Sequence, residues 1–233
     1  MILNKVNNFL TFLIIFCFTI FLFIVEKTHA KQDCLSEFTN GLNILILGDS
    51  IFNTQDLENH CENLTSILAK KYNSSNIFNQ AIDGGQFIIK NHDFSNLDIL
   101  DQYFKYNWDI IIIGGGGNDL INCQFQPSCF KQTIQSISQR LKKFITSNKL
   151  QSTKIYFIYI TQVSDFAPPE WQKLVNLGAG EQIKEMYQDI SRENSNYEFI
   201  DLYLVTPNDK DFWLSDGYHP SLKTYKLIPG LLN

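Results

Sequence analysis

The chain has 233 residues, 44% hydrophobic, 14% aromatic and 18% charged. That length suffices for one domain with a buried core, and the density of aromatic and aliphatic residues excludes intrinsic disorder. With 19 Lys and Arg against 24 Asp and Glu, the net charge of −5 excludes the basic footprint of a nucleic-acid binder, and no heptad run or longer repeat is present.

The first thirty residues form a separate object. Met1–Asn8 is polar with one cation, Lys5, and Phe9–Val25 is a run of 17 uncharged residues that includes six Phe. Glu26–Ala30 closes the segment with Thr28-His29-Ala30, a small residue in last place. This layout predicts an export signal over residues 1–30, cleaved after Ala30. The apolar run is longer than the usual signal core of about 7–15 residues and shorter than the ~20 of a relaxed transmembrane helix. The alternative is therefore a retained anchor, with membrane association through residues 9–25. Residues 31–233 contain no Pro/Gly/Ser-rich linker and are expected to form one exported domain, secreted or periplasmic.

Beyond the leader, which holds Cys17, four cysteines remain: Cys34, Cys61, Cys123 and Cys129. An even number in an exported chain predicts two disulfides with three connectivities open, against four reduced thiols. Pairing Cys123 with Cys129 closes a small loop and leaves Cys34 with Cys61. No metal site is expected, because no C-x-x-C or nearby His pair accompanies the cysteines. Asn63-Leu64-Thr65 and Asn73-Ser74-Ser75 fit the glycosylation sequon.

The domain then alternates strands and helices. Leu42–Leu47 is a short apolar strand ended by Gly48-Asp49-Ser50. Leu57–Tyr72 carries Leu57, Cys61, Leu64 and Leu68 at helical spacing. Asn76–Gln80 is a weak strand, followed by Gly84-Gly85. Asp109–Ile113 is a strand that runs into four glycines. Phe130–Ile145 is a helix with Ile134, Ile137, Leu141 and Phe144 on one face. Lys154–Thr161 is a strand, Glu181–Arg192 a helix and Tyr197–Leu204 a strand. Ser221–Ile228 is a closing helix stopped by Pro229-Gly230. Strands separated by helices imply a parallel sheet covered on both faces, and unbroken apolar strands such as Ile110–Ile113 fit that burial.

In a parallel sheet the carboxyl ends of the strands share one edge, where ligands bind. The turns holding Ser50, Gly84 and Asn118 all follow strands, so they converge there, and Asp216 and His219 follow the last strand. A serine hydroxyl becomes a nucleophile only when a base takes its proton. His219 lies three residues after Asp216, a spacing that lets the carboxylate orient the imidazole. The backbone N–H groups of Ser50 and Gly84 and the Asn118 side-chain amide could hold a developing oxyanion. Gly85, beside Gly84, leaves two candidate donors in that turn. His60 and His92 read as structural, and Asp49 and Asp119 as residues that fix turns through backbone hydrogen bonds.

Order and combination carry more than any one of these pieces. Ile44–Ser50 resembles the first block of the SGNH (GDSL) hydrolase superfamily. Asn79–Gly84 is similar to its second block, although Ala81 replaces a common glycine. Gly116-Gly117-Asn118-Asp119 resembles the third block and Asp216-Gly217-Tyr218-His219-Pro220 the last. The four stand in the family's order across about residues 42–220. The resemblance implies a three-layer α/β/α fold of flavodoxin-like character with a mostly parallel five-stranded sheet. It also implies hydrolysis of carboxylic esters or thioesters without a cofactor, with small-molecule or lipid substrates. Ser50, Asp216 and His219 would be catalytic, and Ser50, Gly84 and Asn118 would form the oxyanion hole. An acyltransferase on the same triad is the alternative, and a silent binding module on this fold a third reading. Substrate choice falls to three loops at that edge: Cys123–Cys129 with Phe125 and Pro127, Thr161–Trp171 with Phe166, and Phe212-Trp213-Leu214.

Overall fold

The computed structural model describes residues 41–53, 63–74, 76–88, 107–160, 164–165 and 167–232. The chain divides after Glu37, and the fold described is that of the unit Phe38–Asn233. The expected leader, Cys34, Cys61, His60, His92 and Phe166 lie outside the described residues.

Five parallel strands form one sheet: β1 (Ile44–Leu47), β2 (Ile77–Asn79), β3 (Ile110–Ile113), β4 (Lys154–Tyr159) and β5 (Tyr197–Asp201). Their order is β2-β1-β3-β4-β5. Side chains alternate across a strand, so each central strand feeds two cores. Leu45, Leu47, Ile111, Ile113, Ile155 and Phe157 pack on one face. Ile44, Ile46, Ile110, Ile112, Tyr156 and Ile158 pack on the other. β1 and β3 are buried on both sides, which is why they read as Ile/Leu runs rather than alternating patterns.

Helices cover both faces. On the first lie α3 (Pro127–Ser147) through Phe130, Ile137 and Leu141, and α5 (Ala179–Ser191) through Ile183, Tyr187 and Ile190. On the second lie α1 (Leu64–Tyr72) through Leu64 and Leu68, with the short α7 (Leu222–Tyr225) and α8 (Ile228–Leu231). The result is the expected three-layer α/β/α arrangement. Asn63, whose side chain accepts from the Ser66 N–H as N-cap of α1, is only 6% exposed, which removes it as a sugar acceptor in the folded chain.

Several boundaries differ from the expectations. The predicted strand Tyr197–Leu204 stops at Asp201, because the Asp201 side chain accepts from Leu204 N (3.0 Å) and starts α6 (Leu202–Val205). The predicted closing helix is two single turns, α7 and α8, and Pro229 sits in the first turn of α8 instead of ending a helix. Of the predicted helix Leu57–Tyr72, the described part is α1. Besides α6, two helices were not foreseen: α2 (Gly117–Ile121), which begins inside the glycine-rich stretch after β3, and α4 (Pro169–Asn176).

The strand order places the site. From β1 the chain moves outward to β2 and then crosses to β3 on the other side of β1. A crevice opens at the carboxyl end between strands whose connections leave in opposite directions. The β1 and β3 ends are tied there by Gly114 N to Leu47 O at 3.0 Å. The approach demands glycine at 114, since a Cβ there would lie 2.0 Å from the Phe52 ring.

Candidate active site

The nucleophile candidate rides on a turn built by its neighbour. Asp49 O accepts from the N–H groups of Phe52 and Asn53, and Asp49 Oδ1 accepts from Ile51 N at 3.1 Å. The Tyr225 hydroxyl, from α7, donates to Ile51 O and clamps the same turn. Ser50 is thereby held at the end of β1, half-buried.

His219 arrives from the far end of the chain. Its Nε2 lies 2.8 Å from Ser50 Oγ, and its Nδ1 lies 2.6 Å from Asp216 Oδ2. The loop carrying this pair closes on itself. Leu214 N donates to His219 O, Gly217 N donates to Leu214 O, and Asp216 Oδ1 accepts from both Tyr218 N and His219 N at 2.9 Å. Burial by itself would raise the Asp216 pKa, but the hydrogen bonds from the His219 ring and from the His219 and Tyr218 N–H groups outweigh it, and the pKa is lowered. Asp216 thus stays ionised to orient the ring. The structure unites the three residues that the sequence set 169 positions apart at their extremes.

The oxyanion candidates are linked to the same frame. Ile82 N donates to Gly48 O, and Gly85 N donates to Ile82 O at 2.8 Å, closing a turn around Gly84. Gly84 has φ +69°, a left-handed conformation that favours glycine. With the Gly85 N–H committed inside the turn, Gly84 is the better placed of the two donors. The Asn118 side chain, near the start of α2, donates one N–H to Gly85 O at 3.3 Å, and its second N–H has no partner among the described residues.

Asp49 fixes its own turn as expected, whereas Asp119, inside α2, fixes a remote one. Its carboxylate accepts from Phe87 N (3.0 and 3.1 Å) and Ile88 N (3.0 Å), more than thirty residues away. Also unforeseen is an aromatic stack behind the base. Trp171 of α4 lies 3.9 Å from the Tyr218 ring, nearly parallel, and Tyr218 meets His219 edge-on at 4.8 Å. In the sequence Trp171 stood out as an aromatic of the Thr161–Trp171 loop and Tyr218 as the residue next to the histidine, but nothing there paired the two.

Of the loop residues expected to shape the substrate site, Trp213 is 3% exposed and donates to Pro207 O, so it packs on the domain. The Lys173 ammonium lies 4.4 Å above the Phe125 ring. A small apolar cavity of about 10 Å³, room for about one water, lies between α4 and α5, lined by Leu120, Trp171, Leu174 and Val175 and by Gly117, beside Asn118. The Cys123 and Cys129 sulfurs lie 2.08 Å apart, at disulfide distance, just after α2.

Asp49 is fully buried, and its Oδ2 has no hydrogen-bond partner among the described residues. Burial, with a smaller contribution from the Asp119 charge, lifts its pKa from 3.8 to about 7 against the opposing Ile51 N–H and His219. Between these values the folded protein holds a proton that the unfolded chain has lost. The stability this group contributes is therefore complete below about pH 4 and is lost as pH rises through 7. Asp119, lifted to about 6 chiefly by burial, adds a loss of the same sign. Thermal melts at pH 5 and pH 8 should show the lower melting temperature at pH 8. Asp49→Asn keeps the Ile51 contact and removes the titration, so it should shrink that difference by roughly 2–4 °C per kcal/mol of linkage removed. An unchanged difference would refute the buried proton.

A doubly wound, three-layer sheet with a Ser-His-Asp chain at its switch point has the parts of a serine hydrolase. Residues 46–227 match the GDSL-like Lipase/Acylhydrolase family, and the chain belongs to it. Among solved structures, a lipase/acylhydrolase from Enterococcus faecalis has a TM-score of 0.58 at 20% identity, over 81% of this chain and 91% of that one. A psychrotrophic esterase from Pseudoalteromonas sp., inhibited by monoethylphosphonate, has a TM-score of 0.56 at 20% identity, over 80% and 92%. A phospholipase A1 from Streptomyces albidoflavus has a TM-score of 0.54 at 12% identity, over 79% and 94%. No curated protein sequence matches the chain.

Proposed function

We propose that the protein is an exported serine acylhydrolase that cleaves carboxylic esters or thioesters through an acyl-enzyme on Ser50. The observation that carries this is the unbroken chain from Ser50 Oγ to His219 Nε2 (2.8 Å) and from His219 Nδ1 to Asp216 Oδ2 (2.6 Å). His219 takes the Ser50 proton as Oγ bonds to the substrate carbonyl carbon, and the carbonyl electron pair moves onto oxygen. The N–H groups of Ser50 and Gly84 and the Asn118 amide meet that oxyanion. Collapse expels the alcohol or thiol, which leaves with the proton from His219. Water then repeats the sequence, releasing the carboxylic acid and restoring Ser50. Export is supported by the layout of residues 1–30, and the disulfide distance of Cys123 and Cys129 fits an oxidising compartment.

One mass-spectrometric experiment tests this reading. Protein purified from its native host and treated with a fluorophosphonate should carry a single adduct on the peptide containing Ser50. Its first residue should lie near Lys31, and its mass should fall short by two disulfides. Absence of the adduct, together with no turnover of p-nitrophenyl esters of increasing chain length, would leave a silent binding module. An intact Met1 would replace export of a free domain with an anchored one, and four free thiols would remove the bridges. Adding an acceptor alcohol to the ester assay should leave the acid as the main product; predominant transfer to the alcohol would make the protein an acyltransferase.

A further inference from the structure

The two oxyanion donors that come from outside the nucleophile turn sit on separate elements. Gly84 belongs to a turn after β2, and Asn118 belongs to α2 after β3. A pocket for one oxygen atom needs both held to within a fraction of an ångström, and neither element has regular structure enough to do this alone. Among the described residues the Gly84 turn lies outside every strand and helix, and α2 is five residues long.

Besides two exposed side-chain bonds, Asn53 Nδ2 to Asp83 Oδ1 and Asn122 Nδ2 to Gln86 Oε1, both at 3.0 Å, the turn has two further anchors. One is at β1, where Ile82 N donates to Gly48 O at 3.0 Å, two residues before Ser50. The other is at α2. Asp119 Oδ1 accepts from Phe87 N and Ile88 N, both at 3.0 Å, and Oδ2 accepts from Phe87 N at 3.1 Å. Asp119 is 4% exposed and Phe87 1%, so these bonds are shielded from water. A charge-assisted hydrogen bond in such surroundings is stronger than a neutral one, and breaking it strands buried polar groups. Arg140 of α3 adds a bond to Ile88 O at 2.9 Å, and its charge faces Asp119. By contrast, the direct link between the donors, Asn118 Nδ2 to Gly85 O, is a single neutral bond of 3.3 Å.

We infer that Asp119 is the positioning residue of the oxyanion hole, its carboxylate gripping the Phe87 and Ile88 N–H groups so that the Gly84 turn and Asn118 move as one body. This rests on the proposed role of Gly84 and Asn118. Asp119 itself touches neither substrate nor reacting atoms. Its effect should therefore appear in the step where oxyanion charge develops and not in substrate binding.

The test is steady-state kinetics of Asp119→Asn, Asp119→Ala, Asn118→Ala and the double variant Asn118→Ala/Asp119→Ala. Rates are taken per folded molecule at pH 8 with a p-nitrophenyl ester. Asp119→Asn keeps the Oδ1 acceptor and loses the charge and the Oδ2 bond, so it should lower kcat by roughly tenfold, with KM within about twofold of wild type. Asp119→Ala should approach the loss from deleting a donor outright, about 10²–10³ in kcat. The double variant should be within about threefold of the worse single, because residues that serve one device are not additive. An impaired Asn118→Ala beside Asp119 variants of normal kcat would overturn the inference and leave the oxyanion reading standing. So would a fully additive double variant. A normal kcat for Asn118→Ala would remove the oxyanion reading itself, and the inference with it. Should Asp119→Ala fail to fold, the near-isosteric Asp119→Asn decides the matter by its kcat against its KM.

Discussion

Ser50→Ala should lower ester turnover by roughly 10⁴–10⁶-fold and leave the melting temperature close to wild type. The kinetic half follows from the geometry: Ser50 Oγ is the atom within 2.8 Å of His219 Nε2, and alanine offers nothing for the base to deprotonate. The stability half follows from how the turn is held. Asp49, Phe52, Asn53 and Tyr225 make the bonds that fix it, while the Ser50 side chain contributes its one bond to His219. His219→Ala should be comparably severe. Asp216→Asn should cost about 10⁴ by presenting the wrong ring tautomer. Combining these substitutions should add little to the worst of them, since the three act as a unit. Substantial turnover by a folded Ser50→Ala protein would end the acyl-enzyme mechanism.

Asn118→Ala should lower kcat by about 10²–10³, or roughly 2.7–4 kcal/mol, with KM little changed. The competing role is structural, because asparagine often closes a glycine turn. The single bond from Asn118 to Gly85 O, at 3.3 Å, is too weak an anchor for a large stability loss. On the catalytic reading the second amide N–H meets charge that exists only in the tetrahedral intermediate, so kcat and kcat/KM fall together. Steady-state kinetics beside thermal melting separates the two. A normal kcat with a lowered melting temperature would assign Asn118 to the turn alone.

Much of this architecture was legible before folding. β1 and β3 announce themselves as Ile/Leu runs because both their faces are buried, and each ends in glycine where the chain must turn sharply. α3 and α5 are long enough for a 3.6-residue period to emerge. α2 was hidden by its length: five residues beginning with glycine show no period. α4 was hidden by Pro168 and Pro169, which read as loop residues although proline is well placed in a helix's first turn. The overrun of β5 has a different origin. Leu202, Tyr203, Leu204 and Val205 have strand character, and only the Asp201 side chain, capping Leu204 N, bends them into a helical turn.

By itself the sequence determined the parallel α/β class, the family, and the identity of Ser50, Asp216 and His219 as the groups to watch. These depend on local pattern: runs, spacings and turn chemistry that the chain carries whether or not it is folded. Tertiary structure decided what depends on distance between remote segments. It closed the 2.8 Å gap between Ser50 and His219, committed the Gly85 N–H and so singled out Gly84, stacked Trp171 on Tyr218, and set the Asp119 carboxylate on a turn formed by residues 82–88. It also buried Asp49 completely, lifting to about 7 the pKa of a residue that in sequence is one more turn aspartate. Burial and hydrogen-bond partnership are properties of what surrounds a group, and for these residues the surroundings come from strands and loops far away along the chain.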